Sequence, residues 1–384
     1  MSKILLLLLI MSVFVSCGGR KQTVVKQELL NESLFMLVGG YAFPHEEGVK
    51  LFTFDEESGD AHYVNGLTGI SNPSYLDYSS DCQRVFAVGE NGVDNSTANI
   101  ITIDWSTGSM ELTSEMETRG AAPCYIALSP SEDFVVTANY EGGNVSIFRI
   151  GTDGKLQSPR IISFVGSGLD SVRQVGPHLH FVGFTHHNDY MLAVDLGTDC
   201  VHSFPINAQG KEISAPFLDE DKSQNFLLPP GCGPRHLCFS EDGQFLYIVT
   251  ELSGEVLVYA YQGKNSKLIQ RVRFDMVNAR GGGDIHMSPD GKFLYASNRL
   301  KEDGIAIFKV DSETGMLGKV GYQPTGIHPR NFIISPNGKF LLVACRYSNE
   351  IQIYRRNEQT GLLVDIRKSI KTSQPSCLKF MKKR

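Results

Sequence analysis

The chain has 384 residues, 41% of them hydrophobic and 20% charged, an ordinary globular balance that allows a sizeable core. Its formal net charge of −6 argues against a general nucleic-acid binder, which needs a cationic surface to displace counterions. The 38 glycines and the scarcity of helical periodicity point to many short strands joined by tight turns, and propellers and barrels run to this length as one unit.

At the N-terminus Lys3 precedes an apolar run from Ile4 to Ile10, and Ser16-Cys17-Gly18 follows. A positive start, an apolar run shorter than a membrane span and a small residue at the break read as a cleaved export signal over residues 1–17. Ser16-Cys17 resembles a bacterial lipobox, with Phe14 where such boxes usually carry Leu, so Cys17 is the expected lipidation site. Residues 18–33 read as a polar tether. The expected location is the periplasm or a membrane surface, with membrane contact through the lipid alone. Seven further cysteines at irregular spacing, without a CxxC pair, make neither a disulfide framework nor a zinc ribbon, and most are expected to be small buried residues. Lys382, Lys383 and Arg384 read as a solvated tail.

From Leu34 onward the pattern is all-β. Leu34 to Tyr41, Val49 to Phe54 and Ala61 to Val64 look like second, third and fourth strands of a unit that lacks its first. Hairpins follow at Ser79-Ser80-Asp81-Cys82, Ser129 to Asp133, Thr185 to Asn188, Ser240 to Gly243, Ser288-Pro289-Asp290-Gly291 and Ser335-Pro336-Asn337-Gly338. The residues just before the turns are Tyr78, Leu128, Phe184, Phe239, Met287 and Ile334, and Phe380 closes the series. Their spacings of 50, 56, 55, 48, 47 and 46 match a propeller blade of four strands. Third strands are expected at Glu255 to Ala260, Gly304 to Val310 and Glu350 to Tyr354, and a fourth at Leu268 to Phe274. The chain ends on a first strand, Gln374 to Met381, which supplies the inner strand missing from the N-terminal unit. The expectation is a single seven-bladed β-propeller over residues 34–384, closed by its C-terminal strand.

In a propeller the inner strands line a central channel. With the pre-turn residue as zero and a hairpin symmetric about +4, position −4 lies opposite +12 at the end far from the turn. The pairs are Ser74/Glu90, Cys124/Tyr140, His180/Leu196, Arg235/Glu251, Gly283/Arg299 and Arg330/Arg346, and Ser376 ends the series. One charged residue at a blade end is ordinarily just solvated. Four arginines at one mouth repel one another unless a ligand anion balances them, because two glutamates do not suffice. The ring therefore points to an anionic small-molecule ligand. His178, His180, His186 and His187 raise the question of a metal site, but the last two fall in the hairpin turn, at the other end of the strand, so no metal or other cofactor is expected. His286, at −1, is expected to be held within its blade.

Gly233-Pro234-Arg235-His236 with Thr250-Glu251-Leu252, Asp284-Ile285-His286 with its Ser-Pro-Asp-Gly turn, and Tyr295-Ala296-Ser297-Asn298-Arg299 resemble the seven-bladed lactonase family. That family includes propeller-type 6-phosphogluconolactonases and carboxy-cis,cis-muconate cyclases. Tyr140 to Ser146 and Thr314 to Leu317 fit it too, and the resemblance runs from Leu34 to the end. It implies lactone hydrolysis, with a His, two Arg and a Glu falling on His180, Arg235, Glu251 and Arg299, the residues that spacing also selects; His180, given a pKa near neutrality, is the expected proton donor to the ring oxygen. Tyr140, Arg330, Arg346 and Glu90 are then expected to bind the rest of the substrate. Well-known members act on a phosphorylated sugar lactone in the cytosol, whereas this chain carries an export signal, so reaction type is better defined than substrate. Two alternatives stand beside it: an exported, non-catalytic propeller holding an anionic carbohydrate or a protein, and a cycloisomerase closing a lactone from an unsaturated acid. Glu251 beside Arg235 favours catalysis, since pure anion binding gains nothing from a carboxylate there.

Overall fold

The computed structural model describes residues 29–30, 34–207 and 216–383. The segment read as an export signal, Cys17 and most of the segment read as a tether lie outside them. Within them are seven four-stranded antiparallel sheets. Blade 1 comprises Leu34–Gly40, Val49–Phe54 and Ala61–Leu67, with Pro375–Lys382 as its inner strand. The other inner strands, in chain order, are Leu76–Tyr78, Pro123–Leu128, Leu179–Phe184, Pro234–Phe239, Gly282–Met287 and Pro329–Ile334. Each touches the next and the last touches Pro375–Lys382, so they close a ring.

Local chemistry makes each hairpin. At +1 a Ser or Thr hydroxyl accepts the amide that opens the second strand and bonds a polar side chain in the turn, acidic or amide in every hairpin but that of Ser129, which meets Ser131 Oγ. Ser288 does so with Asp290 (2.6 Å) and Phe293 N (3.0 Å), and Ser335 with Asn337 (2.8 Å) and Phe340 N (3.0 Å). Second strands such as Phe293–Asn298 are buried along their whole length, because both faces of every blade pack on neighbours. The core is accordingly divided among blade interfaces.

The ring closes as expected. Leu34↔Lys382 through Gly39↔Cys377 pair in register, and Cys377, Leu378, Phe380 and Met381 are buried. Two end segments are more engaged than their polarity suggested. Leu30 packs near Val64 and Gly108 on the hairpin-turn side, and Lys383 is not a free tail, since its Nζ donates to Leu30 O (2.8 Å). Cysteines 82, 124, 200, 232, 345 and 377 are buried and Cys238 is partly buried.

Candidate active site at the channel mouth

The site begins with a backbone feature repeated from blade to blade. The hairpins are symmetric about +3.5, not +4, as Phe239↔Leu246 and Leu237↔Ile248 show. The pairing then slips by one residue at −4. The break falls between Leu179 and Phe181, Pro234 and His236, and Pro329 and Asn331, leaving His180, Arg235 and Arg330 as the extra residues of β-bulges. A bulge leaves its extra residue unpaired and re-aims the side chain. The −4 residue thus has no +12 partner, contrary to the simple ladder. The +12 amide bonds the −6 carbonyl instead: Glu251 N to Gly233 O (2.7 Å), Tyr140 N to Ala122 O, Arg299 N to Gly281 O (each 2.9 Å), and Arg346 N to His328 O (3.0 Å). Several −6 residues take left-handed backbone, Asn72, Ala122, Gly233 and His328 among them, each followed by a proline; Pro123, Pro234 and Pro329 open their inner strands without needing a donor. Positions −4 and +12 still converge on one mouth, for a reason other than simple opposition.

Glu251 is the centre. Its side chain is 9% exposed; Oε2 accepts from Arg235 Nε (3.1 Å) and Arg299 Nη2 (2.8 Å), and Oε1 accepts from Arg173 Nη2 (2.6 Å). Burial alone would raise its pKa, but Arg299, Arg235 and Arg173 outweigh burial and hold it at about 2. Arg235 and Arg299 are fixed from behind by main-chain carbonyls. Arg235 Nη1 donates to Gly283 O (2.7 Å), and Arg299 donates to Gly281 O and Gly282 O (3.0 and 2.9 Å). Glycine is needed in that cradle: a Cβ on Gly281 would lie 2.0 Å from Arg299 O.

Beneath Arg235, His236 Nδ1 meets Asp284 Oδ1 at 2.7 Å, which places the ring proton on Nδ1 and leaves Nε2 to accept from Arg235 Nη1 (3.3 Å). Asp284 also accepts from Asn331 and contacts His286 Nε2 (2.9 Å). His286 is tied to that carboxylate as expected, although 38% of its side chain stays exposed.

A second group surrounds Glu90. Tyr41 Oη (2.8 Å) and Ser74 Oγ donate to it, and Arg330 Nη2 stands 3.8 Å away. The Arg346 guanidinium lies 3.5 Å from the centre of the Tyr41 ring, and its Nε donates to Gln374 (3.2 Å). Tyr140 accepts from Arg173 (3.0 Å), stacks on His178 and meets the His180 ring edge to face at 5.5 Å.

His180 departs from one expectation. Burial, with Arg235, His236, Arg330 and Arg299 close by, pushes its pKa well below 6.5, so it is neutral at neutral pH and cannot act as the imidazolium acid. Its Nδ1 is buried without a partner, as is that of His328. Leu196, Cys124, Gly283 and Ser376 complete the ring without ionic chemistry. His186 and His187 sit in the turn at the opposite end of the strand, and no group able to hold a metal occurs among the described residues.

Arg173, Tyr41, His236 and His328 escaped the positional argument. Arg173 lies in an irregular loop outside the repeat, so no periodic signal marks it. Tyr41 follows the second strand of blade 1, the unit whose pre-turn residue is at the other end of the chain.

Five arginines face two glutamates at this mouth, around one deeply held carboxylate: a closed propeller with an arginine-rich, carboxylate-centred channel. The chain belongs to the lactonase family of seven-bladed β-propellers, whose description, Lactonase, 7-bladed beta-propeller, matches residues 35–380. It is 34% identical to a 6-phosphogluconolactonase of Formosa agariphila over 87% of this chain and 95% of that protein. A solved structure of a candidate 6-phosphogluconolactonase from Bacteroides fragilis is 48% identical, with TM-score 0.87 over 91% of this chain and 98% of the other. The periplasmic gluconolactonase PpgL of Pseudomonas aeruginosa is 32% identical, with TM-score 0.83 over 91% and 99% of the two chains.

Proposed function

We propose that this protein hydrolyses a sugar-acid lactone bearing an anionic group, at the mouth of its channel. The observation that carries the proposal is Glu251, a buried carboxylate fixed among Arg173, Arg235 and Arg299 in a chain of the lactonase family.

Lactone hydrolysis adds water to the carbonyl carbon, gathers charge on the carbonyl oxygen and expels the ring oxygen as an alkoxide that must gain a proton. Glu251 takes a proton from the attacking water. A carboxyl held at about 2 is a weak base, so the gain comes chiefly from placing water and substrate together. The same low value makes protonated Glu251 a strong acid, ready to pass that proton to the leaving alkoxide. One carboxylate thus carries the proton from water to ring oxygen, ending as it began, and the product is the open hydroxy acid. Arg235 and Arg299, locked by glycine carbonyls, present fixed donors toward the developing oxyanion with little reorganisation. His180, neutral, offers a hydrogen bond to the substrate instead of a proton. Arg330, Arg346, Tyr140 and Glu90 bind the remainder of the ligand.

Export with lipid attachment at Cys17 is part of the same proposal, supported by the N-terminal sequence pattern and by likeness to a periplasmic gluconolactonase. A pH-stat screen of aldonolactones, with and without phosphate or uronate groups, tests the activity on protein spanning residues 18–384. Turnover of an anionic lactone is the expected result. Anion binding with no turnover of any lactone would favour the non-catalytic reading, and closure of an unsaturated acid without hydrolysis would favour the cycloisomerase.

A further inference from the structure

The three arginines on Glu251 are not equivalent. Arg235 and Arg299 rise from the blade framework, are 1% and 5% exposed and donate to main-chain carbonyls. Arg173 comes from the connection between blades 3 and 4, its side chain is 36% exposed, and its two hydrogen bonds both go to side chains, Glu251 and Tyr140. Its guanidinium can turn away from Glu251 without breaking a main-chain contact.

The backbone beneath it is firm. Asp170 Oδ1 accepts from Val172 N (2.9 Å) and Arg173 N (2.8 Å), Gln174 N donates to Asp170 O (2.9 Å), and buried Gln174 Nε2 donates to Leu196 O and Asp199 (each 2.8 Å). Asp170 also pairs across the mouth with Arg280, between blades 5 and 6. The swinging part is therefore the Arg173 side chain, hung from a fixed point at the rim.

Its resting place obstructs the chemistry. Oε2 of Glu251 is taken by two immovable donors, so Oε1 is the oxygen left to receive a proton from water, and Arg173 covers it at 2.6 Å. We infer that Arg173 determines specificity for anionic lactones: the substrate's phosphate or carboxylate draws the Arg173 guanidinium off Glu251, which binds the anion and uncovers the oxygen that accepts the proton. A neutral lactone has nothing to exchange for Glu251 and leaves Oε1 covered. The inference rests on the lactonase reading above and adds how that site tells a charged substrate from an uncharged one.

The test compares 6-phosphoglucono-δ-lactone with unphosphorylated glucono-δ-lactone in wild type, Arg173→Gln and Arg173→Lys, with kcat and KM resolved. In Arg173→Gln, KM for the phosphorylated lactone is expected to rise about 10- to 100-fold, as loss of a hydrogen-bonded charge implies. Its kcat for the neutral lactone is expected to increase, because Oε1 is uncovered. Arg173→Lys, which keeps the charge, should restore part of the phosphate affinity. Calorimetric binding of the product 6-phosphogluconate supplies a readout without turnover, and the same loss of affinity is expected there and not for gluconate. An equal fall on both substrates would mark Arg173 as merely structural, and unchanged selectivity would mark it as irrelevant; either overturns the inference. If wild type hydrolyses neither lactone, the lactonase reading itself fails and the inference falls with it.

Discussion

Replacing Glu251 with Gln keeps the shape of the side chain and removes the one negative charge that Arg173, Arg235 and Arg299 share. The size of the effect follows from the structure by two routes. The carboxyl is held at about 2 against an ordinary 4.5, and that depression corresponds to about 3 kcal/mol of folded-state stability. Because the folded value is depressed, the contribution is fully present above pH 4.5 and is lost as pH falls toward 2. Independently, removing one partner of a buried ion pair costs about 3–5 kcal/mol, since the other charge stays buried. Glu251→Gln should therefore unfold more easily by about 3 kcal/mol at pH 7, and the gap from wild type should narrow in acid, as Glu251 itself becomes protonated. Inorganic phosphate should restore more stability to the variant than to wild type, since an anion can take the vacated place among the guanidiniums. Turnover should fall by about 10²- to 10⁴-fold with the general base removed. Thermal unfolding with and without phosphate at pH 7 and pH 3, together with pH-stat rates, reads all of these. A variant as stable as wild type at pH 7 would refute the electrostatic argument, and one with full lactonase activity would place the proton transfer elsewhere.

Arg235→Lys keeps the charge but loses the fork that spans Glu251 and Gly283 O, and kcat should drop by about 10²-fold, as for loss of one oxyanion donor. Because His180 is held neutral, the rate on unphosphorylated lactone should show no inflection near pH 6.5; an inflection there that vanishes in His180→Asn would restore it as the acid. Deleting residues 372–384 removes the closing strand and the burial of Cys377, Leu378, Phe380 and Met381. At about 1.5–3 kcal/mol for each large apolar side chain, that loss rivals the stability of a whole domain. Such a protein should aggregate through its open edge, and an unchanged melting transition would refute the clasp. Cys17→Ser should release the protein from membranes into the soluble fraction, and retention of that variant on membranes would refute lipid attachment.

The blade count and the ring closure were legible in the sequence because both are written in short-range chemistry. A Ser or Thr before an acidic or amide turn residue makes each hairpin locally, and the turns recur at blade spacing whatever surrounds them. The clasp was legible because a first strand was missing at one end and present at the other. Counting from those turns reaches His180, Arg235, Glu251, Arg299, Arg330 and Arg346 at the mouth, although a simple ladder is not what places them there. The bulge at −4 aims His180, Arg235 and Arg330, and the link from +12 to −6 sets Glu251, Arg299 and Arg346.

Tertiary structure alone decided the rest. A repeat says where equivalent positions fall but nothing about residues outside it, so Arg173, in a connecting loop, could meet Glu251 only once blades 3, 4 and 5 stood around one axis. The charge states were decided there as well. An isolated histidine titrates near pH 6.5, and burial among Arg235, Arg330 and Arg299 is what makes His180 neutral. Turn chemistry acts between neighbours in the chain and can be read from their order. Electrostatics acts between neighbours in space, and these the folded ring brings together from four blades and a loop.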